Sequence, residues 1–327
     1  MPFLMLRNDK FLAAMLAMAL VAMSSFPVAE AQQEQAGKIH VDVNLVLVEA
    51  TVKNKAGQVI DGLGMKDFEV GEDGVAQTVT HFSRDQLPLA VALVVDLSSS
   101  IEPFLRPLRY ATQTALRTLK QEDQVSLFTF TSQAERKVNL THDKRAVSDQ
   151  IEFFSAGGST NINGAIYEAA QYLREDAPAS ARRVIILVSD NVPTDAGGFS
   201  PQEVEDAVLE ADSAVYGLKI PGQNPFGARM AAKMGGKVNV SKLTADTGGE
   251  IFDVEKEGSL YIAFQALIQR LKTRYTLGYT PANPARGGSF HKLEVRLTAN
   301  HGELGKDYTI ASKRGYYSNR APSPALH

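Results

Sequence analysis

The sequence predicts an α/β protein in which a doubly wound, mostly parallel sheet is inserted into a small antiparallel β-sandwich built from both chain ends. In the middle of the chain, apolar strands alternate with amphipathic helices, which is typical of a parallel sheet with helices on both faces. Each chain end carries a few short strands, too few to form a stable sheet alone. The 327 residues and the hydrophobic content of 44% are sufficient for two such folded units.

The first half of the sandwich is predicted over residues 38–87. Apolar and polar residues alternate from Ile39 to Leu47, which is the pattern of a half-buried strand. Turn sequences then separate several short strand-like segments, and Glu72-Asp73-Gly74 is one of these turns. This arrangement favours antiparallel strands joined by tight turns.

The doubly wound unit is predicted over residues 88–273. It opens with residues 91–95, which are apolar on both faces, as expected of a central parallel strand. Residues 134–140 are predicted as an edge strand, and the Pro- and Gly-containing residues 221–237 as a mobile insertion. The periods of apolar residues predict the remaining elements, which are strands at 125–130, 184–188 and 214–220 and helices at 102–120, 143–154, 162–174, 201–213 and 258–273.

The chain returns to β character near its end. Alternation predicts strands at 275–279, 291–298 and 308–312, so residues 274–318 are assigned to the second half of the sandwich. Insertion of one unit into another is physically easy when the chain ends of each unit are adjacent. Residues 319–327 are predicted to be a disordered tail.

Residues 1–31 are predicted to be a signal peptide. Arg7 and Lys10 precede an apolar run at residues 11–23, and Ala29-Glu30-Ala31 has the small-residue pattern of a cleavage site. The alternative is an uncleaved anchor, but the run is shorter than the ~20 residues that a spanning helix needs. We therefore expect an exported protein, periplasmic or extracellular, with no membrane span after cleavage. The absence of cysteine suits a bacterial protein held together by its core without disulfides.

Composition and motifs argue against several classes of function. The formal net charge of −3 leaves no basic surface for nucleic acid. The six histidines are dispersed and cysteine is absent, which argues against a zinc site. No nucleophile elbow, Walker motif or dinucleotide-binding glycine pattern occurs at a strand-to-helix turn. The chain is therefore not predicted to be an enzyme.

Three segments rich in oxygen ligands lie next to predicted strand ends. All three are expected at the carboxyl edge of the sheet, where doubly wound folds bind ligands. Oxygen ligands without His or Cys favour magnesium, calcium or manganese. The segments are Asp96-Leu97-Ser98-Ser99-Ser100 after the strand at 91–95, Gly158-Ser159-Thr160-Asn161 before the helix at 162–174, and Ser189-Asp190 after the strand at 184–188.

Each segment alone has a simpler interpretation. Asp96-x-Ser98-x-Ser100 is equally typical of a helix amino cap, because Asp and Ser side chains satisfy free backbone amides there. The Gly-Gly-Ser-Thr segment is a weaker signal still. The occurrence of all three in order, each at a junction of strand and helix, favours a metal site.

The pattern Asp-x-Ser-x-Ser, a distant Thr and a later Asp resembles the metal-ion-dependent adhesion site of von Willebrand factor type A domains. The resemblance implies that a partner protein's carboxylate completes the coordination of a divalent cation. Mg²⁺ is the expected ion, with Ca²⁺ and Mn²⁺ as alternatives. Many relatives have Asp-Gly where this chain has Asp190-Asn191, and Asn tolerates the same left-handed backbone. The implied metal-site residues are Asp96, Ser98, Ser100, Thr160 and Asp190.

The flanking segments resemble a group of exported bacterial proteins described as von Willebrand factor A related. This resemblance implies the architecture and no particular ligand. The segments that carry it are Asp61-Gly62-Leu63, Asp67-Phe68, Glu72-Asp73-Gly74, Tyr275-Thr276-Leu277-Gly278-Tyr279-Thr280-Pro281 and Arg314-Gly315-Tyr316-Tyr317.

The leading hypothesis is a protein-binding module of the periplasm or cell exterior that engages an acidic side chain of another protein through the metal. One alternative is a structural component of an envelope assembly that works without the metal. A further alternative is a metal-assisted hydrolase, for which Asp195 is the nearby candidate base. The sequence leaves the partner and the oligomeric state open.

Overall fold

The computed structural model describes residues 45–84, 87–194, 198–222, 236–281, 288–298 and 308–318. Several predicted features lie outside these residues: the signal peptide, the tail, residues 39–44 of the first predicted strand, residues 223–235 of the predicted insertion, and Asp195. In the described part of the chain, no helix is both long and apolar enough to cross a membrane.

Strands and helices are numbered in chain order over the described residues. The strands are β1 (Val46–Asn54), β2 (Phe68–Glu72), β3 (Val75–Gln77), β4 (His81–Arg84), β5 (Leu89–Asp96), β6 (Gln124–Phe130), β7 (Ala134–Thr141), β8 (Arg182–Ser189), β9 (Ser213–Lys219), β10 (Ile251–Asp253), β11 (Tyr275–Tyr279), β12 (Phe290–Leu297), β13 (Tyr308–Ser312) and β14 (Gly315–Tyr317). The α-helices are α1 (Leu105–Leu116), α2 (Lys144–Gln150), α3 (Ile162–Asp176), α4 (Pro201–Glu210), α5 (Val240–Asp246) and α6 (Leu260–Lys272).

The middle of the chain forms a six-stranded sheet in the order β10-β9-β8-β5-β6-β7. Its strands are parallel except for the edge strand β7, which runs antiparallel to β6. After β5 the chain adds β6 on one side and later returns to add β8 on the other side. The strand order therefore reverses at β5, and such a reversal opens a crevice at the carboxyl ends of the strands.

Helices cover both faces of this sheet. Alternate residues of β5 pack on opposite faces: Val91, Leu93 and Val95 contact the core under α1, α2 and α6, whereas Ala92 and Val94 contact the core under α3, α4 and α5. Both cores are apolar, which explains the continuous apolar sequence of β5. Charged groups of this unit are therefore confined to the ends of the strands and to the outer helix faces.

The two chain ends form two four-stranded antiparallel sheets that face each other. One sheet has the order β13-β1-β11-β4 and the other β14-β12-β2-β3. Each contains strands from both ends of the chain, since β1 pairs with β11 and β2 pairs with β12. Apolar and aromatic side chains from both sheets share one core, including Val48, Phe68, Tyr275 and Leu293.

A buried ion cluster joins the sandwich to the doubly wound unit. Glu49 of β1 pairs with Arg182, the first residue of β8, and with Arg274, which lies 3.0 Å from it just before β11. Arg274 also donates hydrogen bonds to the Tyr216 hydroxyl and the Gly248 carbonyl, each at 2.9 Å. The cluster lies at the amino end of β8, so the sandwich is attached at the opposite edge from the carboxyl ends of the parallel strands.

The predicted fold class is confirmed, and residues 91–95 form the centre of β5 as expected. Among the numbered strands and α-helices, α5, β10 and β14 were not predicted from the sequence. The two strands have three residues each, too few to show an apolar period, and they form because β10 pairs with β9 and β14 with β12. The exact domain boundaries, 38–87 with 274–318 and 88–273, remain predictions.

Candidate metal centre

Three loops meet at the carboxyl edge of the six-stranded sheet, beside the point where the strand order reverses. The first loop (residues 96–100) continues β5, the second loop (residues 157–161) precedes α3, and the third loop (residues 189–194) continues β8. β5 and β8 are direct neighbours, paired from Leu89 with Arg182 to Val95 with Val188. This strand pairing places the first and third loops next to each other.

Asp96 is the central buried group of the first loop. Its side chain is fully buried, Oδ1 accepts a hydrogen bond from the Ser98 backbone N–H at 2.8 Å, and Oδ2 accepts one from the Ser189 hydroxyl at 2.7 Å. These bonds fix the orientation of the carboxylate. Each oxygen of an ionised carboxylate has a second lone pair, which can still accept a bond from metal-bound water.

The two serines of the first loop bring their hydroxyls together. The Oγ atoms of Ser98 and Ser100 lie 3.0 Å apart. Ser98 precedes the 3-10 helix Ser99–Phe104, yet its side chain forms no capping hydrogen bond to that helix. The simpler interpretation of these serines as a helix amino cap is therefore not supported at Ser98.

The second loop is held close to strand β6 and to α3. Gly158 has a φ of 102°, a left-handed conformation that favours glycine, and a side chain there would approach Thr131 to 3.2 Å. Asn161 caps α3 by accepting a hydrogen bond from the Gly164 N–H at 2.9 Å. Thr160, between them, is buried with 3% of its surface exposed.

The third loop turns sharply after β8. Asn191 adopts a φ of 58°, so the left-handed backbone expected at this position is present. Asp190 Oδ1 accepts a hydrogen bond from the Val192 N–H at 2.9 Å, and Ser189 Oγ accepts one from the Asn191 N–H at 3.1 Å. The Asp190 side chain is partly exposed.

Hydrogen bonds tie the three loops to one another in pairs. The Ser189 hydroxyl joins the third loop to Asp96 of the first, and the Gly157 N–H joins the second loop to the Leu97 carbonyl at 2.7 Å. Thr160 and Thr194 join the second and third loops twice: Thr160 N–H donates to Thr194 Oγ1 at 2.8 Å, and Thr194 N–H donates to the Thr160 carbonyl at 3.1 Å. The loops form one connected unit.

The electrostatics of this edge favour a cation. Burial raises the pKa of Asp96, the hydrogen bonds from Ser189 and Ser98 oppose that rise, and the charge of Asp190 adds to it, so that the pKa lies above its ordinary value. Among the described residues, neither aspartate forms an ion pair with a lysine or arginine. Two neighbouring carboxylates with hydroxyls beside them suit a hard divalent ion.

The sequence prediction missed several residues that organise the edge. Ser189 was noted only as part of Ser189-Asp190, although its hydroxyl binds Asp96 directly. Its position at the end of an apolar strand was the available signal. Thr194 and the Gly157 backbone gave no signal, because their contacts with Thr160 and Leu97 arise only from the tertiary arrangement of the loops.

Residues 91–192 match the family model of the von Willebrand factor type A domain. The match begins in β5 and ends in the third loop, and it covers less than half of the chain. This segment of the chain is therefore similar to a von Willebrand factor type A domain.

Several solved structures are similar to parts of this chain at low sequence identity. A von Willebrand factor type A protein from Catenulispora acidiphila is 11% identical with a TM-score of 0.45, over 85% of this chain and 74% of that one. An aerotolerance-related membrane protein from Bacteroides fragilis is 16% identical with a TM-score of 0.42, over 56% and 99%. The von Willebrand factor domain of a type V pilus tip protein from Porphyromonas gingivalis is 13% identical with a TM-score of 0.41, over 57% and 95%. No curated protein sequence matches the chain.

Proposed function

We propose that this protein binds another protein through a divalent cation held at the carboxyl edge of its von Willebrand factor type A domain. The single observation that carries the proposal is the linkage of all three loops by hydrogen bonds, with buried Asp96 bonded to both Ser98 and Ser189. The proposed metal-site residues are Asp96, Ser98, Ser100, Thr160 and Asp190.

The donor set supports magnesium as the ion. Hydroxyl and carboxylate oxygens are ligands of Mg²⁺, Ca²⁺ and Mn²⁺, and Mg²⁺ normally keeps several waters when bound to protein. The two carboxylates carry a charge of −2 when ionised, which balances the +2 charge of the ion without excess. Exchange of one water for a carboxylate of the partner then gives a metal bridge between two proteins. Asp96 and Asp190 act in this scheme by orienting metal-bound water and balancing charge.

The remaining predictions about cellular context belong to the same proposal. We propose export directed by residues 1–31, action in the periplasm or outside the cell, and binding rather than catalysis. A metal-independent role as an envelope scaffold is the competing function, and it predicts partner binding that survives a chelator.

Calorimetric titration of magnesium tests the site. We expect magnesium to give a saturable heat of binding with the wild-type protein. Asp96→Ala should give no such heat, because the variant loses the carboxylate that joins the first and third loops. Asp176→Ala is the matched control: Asp176 is an exposed acid at the far end of α3, so its removal leaves magnesium binding intact. Circular dichroism verifies that each variant is folded.

Two results would contradict the proposal. Equal heats for the wild-type protein and Asp96→Ala would remove the metal site from these loops. In a pull-down from envelope extract, the wild-type protein could retain the same proteins with and without a chelator. The metal would then have no role in partner binding, even if the metal site exists.

A further inference from the structure

A second group of metal-binding side chains lies in the β-sandwich. Glu72 at the end of β2, Asp73 in the following turn and His291 in β12 place one ligand atom each within 4.8 Å of the others. His291 Nδ1 is 2.8 Å from Asp73 Oδ2 and 3.3 Å from Glu72 Oε1. His291 is 218 positions from Asp73 along the chain, so only the pairing of β2 with β12 brings these groups together.

Both paired strands hold these ligands in place. Glu72 and His291 are buried, with 6% and 8% of their surface exposed, whereas the Asp73 side chain is half exposed and gives access from solvent. Asp73 and Gly74 have φ values of 50° and 82° between β2 and β3, which corresponds to a tight hairpin turn of the Asp-Gly type. Asp73 is therefore fixed at its backbone while its side chain keeps some freedom.

Side chains of the described residues do not balance the charge at this cluster. Two carboxylates face a single imidazole, and no lysine or arginine side chain pairs with Glu72 or Asp73 in the described part of the chain. Even a protonated His291 leaves one negative charge in excess. Burial of a carboxylate is costly unless a positive charge or several hydrogen bonds accompany it. A bound cation would remove the imbalance.

The ligands have outer partners of the kind found around metal sites. The Tyr316 hydroxyl donates to Glu72 Oε1 at 2.8 Å, and the Lys292 backbone N–H donates to Asp73 Oδ1 at 2.8 Å. Such partners orient metal ligands and tune their basicity. Each carboxylate therefore has one oxygen or lone pair left for a metal.

An unpartnered buried hydroxyl also points to a missing ligand. Tyr279 of β11 is fully buried, and among the described residues its hydroxyl has no partner in good hydrogen-bonding geometry, although the Glu72 and Tyr316 side chains lie next to it. A metal-bound water is one group that would satisfy it.

We propose that Glu72, Asp73 and His291 bind a divalent transition-metal ion, with zinc as the best fit. Zinc accepts both imidazole nitrogen and carboxylate oxygen as ligands, whereas magnesium prefers oxygen ligands alone. In a tetrahedral site with metal–ligand bonds of about 2.0 to 2.1 Å, ligand atoms lie about 3.3 Å apart. The separation of His291 Nδ1 from Glu72 Oε1 already has this value, and the exposed Asp73 side chain can widen its shorter separation from His291. Water fills the fourth position.

Cobalt(II) titration of the full-length protein, prepared without a polyhistidine tag, tests this proposal. We expect one equivalent of cobalt to give the strong visible absorption of a four-coordinate site, and zinc to displace it. His291→Gln and Asp73→Asn are expected to weaken cobalt binding at least tenfold. Asp73 is exposed and Asn suits its left-handed backbone, so Asp73→Asn tests the site even if His291→Gln misfolds.

Two controls separate this site from other sources of cobalt binding. His142→Gln removes an exposed histidine outside the cluster and should leave the spectrum unchanged. Asp96→Ala should also leave it unchanged, so loss of magnesium binding at the three loops and loss of cobalt binding in the sandwich are independent results. The proposal is overturned if the wild-type protein gives no such spectrum, if folded Asp73→Asn keeps wild-type affinity, or if the spectrum disappears in Asp96→Ala.

Discussion

The doubly wound unit and the β-sandwich place their polar groups in different ways. In the doubly wound unit both faces of the sheet are covered by helices, and the candidate metal-site residues Asp96 and Asp190 lie at the strand ends. In the sandwich, Glu72 and His291 belong to the paired strands themselves. The loop site consists of oxygen donors held by hydrogen bonds between loops, whereas the sandwich cluster combines nitrogen and oxygen donors held by strand register.

This difference follows from how each unit is covered. A sheet buried on both faces accommodates charged side chains only at the ends of its strands. Ligand-binding residues therefore lie at the carboxyl edge. A small sandwich has an open rim where a strand end such as Glu72 can be buried while its neighbour Asp73 reaches solvent. The two candidate sites should therefore respond to different metals and different substitutions.

The junction between the units provides the largest expected effect. Glu49→Gln would remove the carboxylate that pairs with Arg182 and Arg274. The side chains of these arginines are only 4% and 1% exposed, so two buried guanidinium groups would lose their negatively charged partner. Loss of one partner of a buried ion pair costs about 3 to 5 kcal/mol. We expect the free energy of unfolding in urea to fall by about 3 kcal/mol, the low end of that range, because Glu49 keeps 20% of its side chain exposed.

A matched substitution checks that burial is the cause. Glu135→Gln removes a carboxylate from the exposed pair with Lys137, and a surface pair contributes about 0 to 1 kcal/mol. If Glu49→Gln changed the unfolding free energy no more than Glu135→Gln, the cluster would not join the two units energetically. If urea unfolding of Glu49→Gln became biphasic, the cluster would also be needed for the two units to unfold together.

Ser189→Ala gives the next largest effect and is confined to the loop site. The Ser189 hydroxyl orients Asp96, which in turn orients metal-bound water, and loss of such an outer partner in a metal site weakens binding by about 10- to 100-fold. We expect the calorimetric magnesium affinity to fall by that factor, while the cobalt spectrum of the sandwich is unchanged. Ser126→Ala removes another buried serine hydroxyl, bonded to the Val91 carbonyl at 3.2 Å, and should leave both metals unaffected. A shared response to Ser189→Ala would show that the two sites are coupled.

The sequence predicted the doubly wound unit better than it predicted the sites. β5 and β8 carry continuous apolar residues that only a doubly covered strand uses, so their position and the loops after them followed from local pattern. The residues of the first loop were identifiable because Asp96, Ser98 and Ser100 lie within five consecutive positions. The role of Asn191 was also predictable, because its side chain type tolerates the observed left-handed backbone.

The contacts that depend on long-range pairing could not be predicted. The dispersed histidines argued against a zinc site because only spacing along the chain was considered, whereas His291 reaches Asp73 through the antiparallel pairing of β12 with β2. Register between distant strands is set by burial of the whole sandwich core. The same holds for Glu49 and Arg274, which lie far apart along the chain and are brought together by the pairing of β1 with β11.

The smallest effect concerns the pH dependence of the junction. Burial alone would raise the pKa of Glu49, but the Arg182 and Arg274 guanidinium groups outweigh it and hold the pKa below its ordinary value. A carboxyl with a lowered pKa contributes its full stabilisation above the unfolded pKa of about 4.3, and loses it as pH falls through the folded pKa. The wild-type protein should therefore lose more stability than Glu49→Gln between about pH 5 and pH 3 in urea unfolding, because glutamine does not titrate. A difference between the two proteins that stayed constant over this range would mean that the Glu49 charge does not stabilise the junction, and that the connection between the two units depends on packing alone.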